Sequence, residues 1–213
     1  MQDRTVPHIP VVMLRRAGSA YPRCGLPEGF AICGFREGFD RAWARIETAA
    51  GEFKSPEDAV PIFHRDFPDA ALRGTRCLFA LDPDGVPVAT ASLWTGDKLG
   101  PTLPRVHWVA TDPKWECRGL CKALLTALLD LSDREYPGQP AFLTSQTTSW
   151  PAIRLYLRFG FEPVYERPAV WTGDWQPEAA WRIIRDRIAR FGGMDNRPDI
   201  HQKERMKSEE LTP

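Results

Sequence analysis

Apolar and polar residues alternate with several periods along this chain, and each change of period marks an element. Residues 9–14 (IPVVML) form a short apolar run, read as an edge strand or an arm packed on the main domain. Residues 29–35 (GFAICGF) read as a strand. Trp43, Ile46 and Ala50 then recur at helical spacing, with Asp40 placed to cap the helix they belong to. Ser55-Pro56-Glu57-Asp58 opens a second helix that carries Ala59, Ile62 and Phe63 inward. Serine there can accept from orphan amides, proline gives up no needed donor, and the acids suit the positive helix end. Residues 76–81 (RCLFAL) and 86–94 (VPVATASLW) read as strands joined by the turn Asp82-Pro83-Asp84-Gly85.

A third central strand is predicted over residues 105–111 (RVHWVAT). Leu120, Leu124, Leu128 and Leu131 share one stripe of a helix over 119–131. A strand over 141–146, a helix over 151–159 closed by Gly160 in a left-handed cap, and a strand over 161–165 follow. Trp171, Trp175 and Trp181 lead into a last helix from about 178 to 190. Antiparallel strands first, then strands alternating with helices, imply an α/β (α+β) fold, a mixed sheet with helices on both faces.

A chain of 213 residues with 43% hydrophobic content can bury one sizeable core. The organisation read from it is an N-terminal arm or edge strand (1–27), a main domain (28–167), a tryptophan-rich extension with a helix (168–190) and a charged tail (191–213) expected to be flexible. Lysine plus arginine and aspartate plus glutamate number 28 each, so no basic excess points to nucleic acid, and the basic run at 182–190 reads as a solvated helix face. No apolar run approaches the roughly 18 residues that a membrane span needs. The opening Met-Gln-Asp-Arg lacks the apolar core of a secretory signal. Cys24, Cys33, Cys77, Cys117 and Cys121 form no CxxC pair, so neither a metal site nor a disulfide framework is expected. Reduced thiols point to a cytoplasmic protein.

The junction over residues 112–124 (DPKWECRGLCKAL) delivers a helix N-terminus directly after a central strand. Unpaired amides and a partial positive charge make such a terminus a site for a phosphate or diphosphate. Gly119 permits close backbone approach, and Arg118 and Lys122 add charge at the rim. This is not a Walker loop, and taken alone it reads first as an ordinary strand-to-helix turn. The segment 152–163 (AIRLYLRFGFEP), however, resembles the signature Ala-x-x-x-Tyr-x-x-x-Gly-Phe of the GNAT acetyltransferase superfamily. Residues 116–121 are similar to its acetyl-CoA signature, Gln/Arg-x-x-Gly-x-Gly/Ala, in the matching order and separation. The resemblance covers roughly 29–170, with its specific part between Val109 and Pro163.

The resemblance implies a GNAT acyl-CoA N-acyltransferase fold over 28–167, acetyl-CoA as cosubstrate and an amine acceptor. Val109, Ala110 and Thr111 would offer backbone groups to the acetyl carbonyl and the pantetheine amides. Amides of Cys117, Arg118, Gly119, Leu120, Cys121 and Lys122 would hold the pyrophosphate, and Tyr156 would protonate the departing thiolate, a role that suits a phenol of pKa about 10. Four positions depart from the family pattern. Glu116 stands for Gln or Arg, Cys117 for a common glycine, Cys121 for Gly or Ala, and Ser149 where asparagine is frequent. A cysteine at a position needing positive φ costs about 1–2 kcal/mol.

Three sources remain for the general base: His107, which by simple alternation shares a strand face with Val109 and Thr111; Glu47 on the first helix; or a water chain. His64 with Asp66 and Asp69 reads as a solvated helix end. A thiol nucleophile at Cys117 or Cys121 has no partner assignable from sequence. The leading function is an acetyl-CoA-dependent N-acetyltransferase acting by direct attack in a ternary complex on a small-molecule or protein amine. The alternatives are a GNAT-fold module that binds CoA or another ligand without turnover, and an interaction protein docking through residues 171–181. Acceptor choice would be set around residues 40–69, and an exposed sheet edge is compatible with a homodimer.

Overall fold

The two apolar sets of the chain close into two clusters, one on each face of a seven-stranded sheet. The computed structural model describes residues 2–191, so the charged tail expected at 191–213 lies outside the described residues except for Phe191. The strands are β1 (Pro10–Arg15), β2 (Ala31–Gly34), β3 (Cys77–Leu81), β4 (Pro87–Gly96), β5 (Leu103–Thr111), β6 (Ala141–Gln146) and β7 (Phe161–Pro163). The helices are α1 (Phe39–Ala50), α2 (Pro56–Asp66), α3 (Ala70–Arg76), α4 (Leu120–Glu135), α5 (Trp150–Arg158) and α6 (Pro177–Phe191). Short 3₁₀ turns occupy Pro113–Trp115 and Thr147–Ser149.

Strands lie in the order β2-β3-β4-β5-β6-β1-β7, and every pair is antiparallel except β5 with β6. Side chains alternate across β3 because a strand has period two. Cys77, Phe79 and Leu81 join Trp43, Ile46 and Phe63 under α1 and α2, whereas Leu78 and Ala80 join the α4 leucines.

The first strand is neither arm nor edge. β1 is inserted between β6 and β7, pairing Val12 with Thr144 and Leu14 with Glu162. Val11, Val12 and Met13 are all buried, as a strand covered on both faces requires. A boundary at residue 27 would therefore cut through the sheet. Three smaller expectations also change. Gly38, not Asp40, caps α1, in a left-handed conformation; Asp40 falls in the first turn. The extra helix α3 follows α2, with Asp69 capping it by accepting from the amides of Ala71 and Leu72 at 2.9 and 3.3 Å. Trp181 is core, buried against α4 and β1 residues, while Trp171 and Trp175 pack edge-on against each other.

Candidate active site

The site begins where two strands separate. β5 and β6 share one register pair, Arg105 with Phe142, and beyond it Val109, Ala110 and Thr111 run on without a β6 partner. On the other edge, β5 carries a bulge against β4: Thr90 faces Ala110 and Ser92 faces His107, so Trp108 and Val109 together oppose Ala91. Trp108 takes up the extra residue with φ 50°. The bulge also changes the phase. His107 shares a face with Ala110, toward α1 and α2, while Thr111 turns toward α4, so the alternation expected to group His107 with Thr111 is broken.

After Thr111 the chain turns tightly into α4. Asp112 stabilises the turn by accepting from the Lys114 amide at 3.1 Å, and Arg45 of α1 pairs with the same side chain at 3.0 Å. Cys117 sits at φ 61°, the left-handed region that favours glycine. Gly119 caps α4 at φ 86°, and a Cβ there would meet open space. No side chain caps this end, and the first intrahelical bond runs from the Ala123 amide to the Gly119 carbonyl at 3.1 Å. The amides of Leu120, Cys121 and Lys122 therefore point out of the helix start, where the peptide dipoles add positive potential. Arg118 lies over the Trp115 ring at 4.8 Å, which keeps its charge beside that end. Such a terminus fits a diphosphate; the anionic Glu116 alongside does not help.

Thr111 and Cys121 meet behind the turn, and Tyr156 and Glu47 lie near enough for their charges to act on one another and on Cys121. The Thr111 hydroxyl lies 2.9 Å from the Cys121 sulfur, and burial raises the Cys121 thiol above its usual range. Tyr156 is 7% exposed, and burial, reinforced by the nearby Cys121, Glu47 and Glu52, pushes its phenol well above 10. It keeps its proton at any physiological pH. Glu47 is 1% exposed on α1, with one carboxyl oxygen in contact with neither water nor a hydrogen-bond partner. Desolvation, aided by Glu52, raises its carboxyl well above the ordinary range. Ser149 stands where α5 begins and accepts from the Gln146 side-chain amide at 2.9 Å.

His107 lies elsewhere. Its Nε2 is 3.2 Å from Oδ2 of Asp66, the same oxygen that accepts the Trp108 indole N–H at 2.8 Å. Burial, with Arg105 nearby, outweighs Asp66 and pushes the imidazole down to about 4, so the ring is neutral and gives its Nε2 proton to the carboxylate. Those donors, with Arg65 Nε at 2.8 Å, hold the Asp66 carboxyl far below its usual range against its burial. Asp66 is thus a part-buried anchor between α2 and β5 instead of the solvated helix end read from sequence. Around it opens a cavity of about 350 Å³ walled by Arg65, Asp66, Trp94, Arg105, His107 and Trp108. Sequence reasoning passed over Arg105, Trp94 and Trp108. The one available signal was an arginine alternating with a histidine on a central strand, with a tryptophan directly after it.

Residues 41–161 match the model of the acetyltransferase (GNAT) family. No curated protein matches the chain. Among solved structures it is similar to a GCN5-related N-acetyltransferase from Sphaerobacter thermophilus, at 23% identity over 74% of this chain and 50% of that one, with a TM-score of 0.54. A tandem GNAT protein from the clavulanic acid biosynthesis pathway is 15% identical over 76% of this chain and 52% of that one, TM-score 0.51. Ard1 from Thermoplasma volcanium is 21% identical over 63% of this chain and 83% of that one, TM-score 0.50. The chain spans about half the length of the first two. At these identities the likeness is one of fold.

Proposed function

The chain belongs to the acetyltransferase (GNAT) family, and from that premise we propose that it transfers the acetyl group of acetyl-CoA to a primary amine. The observation carrying the proposal is that β5 parts from β6 just before an uncapped helix start at α4, with a buried carboxyl, Glu47, and a buried phenol, Tyr156, close enough for the charge of one to act on the other. Acetyl-CoA, when bound, supplies the acyl group as a thioester. The amides of Leu120, Cys121 and Lys122 would hold its diphosphate, and the backbone of Val109, Ala110 and Thr111 its pantetheine end.

An amine arrives largely as ammonium and must lose a proton before or during attack on the thioester carbonyl. Glu47 is the better of the two side-chain bases. Burial raises its carboxyl well above the usual range, which makes its carboxylate the more basic of the two, and one of its oxygens has no hydrogen-bond partner. His107 is weakly basic and committed to Asp66. As the carbon–sulfur bond breaks, Tyr156 gives its Oη proton to the leaving sulfur and is reprotonated by the second proton that the nitrogen sheds on becoming an amide. The products are an amide, a thiol and one proton passed on to solvent from Glu47.

Thermal unfolding with and without acetyl-CoA, against dephospho-CoA, tests the first half. Ligand at about a hundred times its dissociation constant stabilises by roughly 2.7 kcal/mol. A saturable shift followed by acetyl-CoA-dependent amide formation supports the reading. A shift without turnover of any amine favours a binding module. No shift at millimolar ligand means that Glu116 and the strained Cys117 have removed the cofactor site.

A further inference from the structure

The cavity beside β5 carries a charge pattern of its own. Asp66 is saturated by Arg65, His107 and Trp108. Arg105 is the opposite case. It lines the cavity and gives one N–H to the Thr144 hydroxyl at 2.8 Å, while its Nε is buried with no hydrogen-bond partner. Among the described residues no carboxylate lies within ion-pair distance of it. Asp66 and Asp97 act on it only from beyond ion-pair distance, and a ligand carboxylate would meet it directly in a forked geometry that lysine cannot match. Arg65, whose Nε is taken by Asp66, adds a second positive charge at the rim.

Two flat aromatic faces stand among the polar side chains of the walls, Asp66, Thr95 and His107. The Trp94 and Trp108 indoles line the cavity, and about 350 Å³ is at the small end of ligand pockets. Arg105 and Trp108 are three residues apart on β5, roughly 10 Å at about 3.3 Å per residue. Trp108 meets Trp43 of α1 edge-on at 5.3 Å, and Glu47 is one helical turn beyond Trp43. Trp108 thus stands between the cavity and the α1 turn that carries the proposed base, which is itself buried.

The geometry points to an acceptor that carries a carboxylate and a primary amine at opposite ends of a short, flat, apolar spacer, with its carboxylate on Arg105 and its amine directed past Trp108 toward Glu47. This assignment rests on the acetyl-transfer reading for the fate of the amine, but the carboxylate site can be tested by binding alone. The probes are 4-(aminomethyl)benzoate and benzylamine, which differ only in the carboxylate. Tryptophan fluorescence of the full chain follows their binding.

The wild-type protein is expected to bind the carboxylated amine at least about tenfold more tightly than benzylamine. That ratio falls toward one in Arg105→Gln and is partly kept in Arg105→Lys. Equal binding of the two compounds, binding of neither, or a ratio unchanged by Arg105→Gln in a folded variant overturns the assignment. The comparison on wild-type protein needs no variant. If the acetyl-CoA shift is absent while the carboxylate preference holds, the transferase reading fails and the site stands. If acetyl-CoA gives its shift and both amines are acetylated at equal kcat/KM, the transferase reading stands and the carboxylate site fails.

Discussion

Oδ2 of Asp66 lies 3.2 Å from Nε2 of His107, joining the end of α2 to the middle of β5. The contact fixes the imidazole as a neutral donor. It also explains why the one histidine on the central strand is poorly placed to act as a base: its exchangeable proton is spent on an anchor, and burial keeps its pKa near 4.

That depressed value predicts an acid-sensitive fold. Unfolded, His107 takes up a proton near its ordinary pKa of about 6.5; folded, it resists until about 4. The unfolded chain binds more protons between those values, so this contribution is complete above 6.5 and is lost as pH falls through the window, by up to about 3 kcal/mol. Urea unfolding at steps from pH 7 to 4 measures it. In His107→Asn that part of the slope should disappear.

Glu47 has the opposite sign. A carboxyl whose folded pKa is raised is at its most favourable below its unfolded value, and loses stability as pH rises through the folded one. Glu47→Gln removes a buried charge that must form on deprotonation. It should raise Tm at pH 8 while lowering kcat by about a hundredfold and abolishing the rise of kcat/KM with pH. A variant that keeps its activity would return the base role to a water chain.

Tyr156→Phe removes one proton donor and little else, because the hydroxyl makes no hydrogen bond among the described residues. A fall in kcat of about a hundredfold, with the dissociation constant of acetyl-CoA changed less than about threefold, is the expected split. Rapid-quench turnover and calorimetric titration read the two halves separately.

Backbone strain makes two stability predictions. Cys117 at φ 61° is exposed, so Cys117→Gly should stabilise by up to about 1 kcal/mol, the relieved strain exceeding the added chain entropy. Gly34 is the contrary case. A Cβ there would lie 1.7 Å from the Gly74 carbonyl oxygen, where β2 crosses α3, and backbone cannot move aside cheaply. Gly34→Ala should cost several kcal/mol in denaturant unfolding, or prevent folding.

Local signals carried much of the fold. The α4 leucine stripe, the Ser55 cap of α2 and the β3–β4 turn each depend on neighbours within a few residues, and each stands where periodicity and turn chemistry placed it. The turn into α4 and Tyr156 of α5 were legible through the same short-range patterns that carry the GNAT resemblance. The interior position of β1 was half legible. An apolar run unbroken from Val11 to Leu14 suits a strand covered on both faces, but which strands would flank it depends on partners more than 120 residues away.

The sequence by itself determined the elements other than α3, the family and the residue types on hand for the chemistry, because those follow from spacing along one strand or helix. Only the tertiary structure decided which side chains work together. One extra residue at Trp108 flips the phase of β5 and parts His107 from Thr111, and no hydrophobic pattern records a bulge that exists only in the pairing with β4. Asp66 became an anchor, Glu47 a buried acid and Arg105 a guanidinium with no carboxylate at ion-pair distance because packing removed water from each and supplied, or withheld, a partner from distant sequence. Burial and pairing are properties of the assembled core, which is why charge and reactivity at this site appear only once the chain is folded.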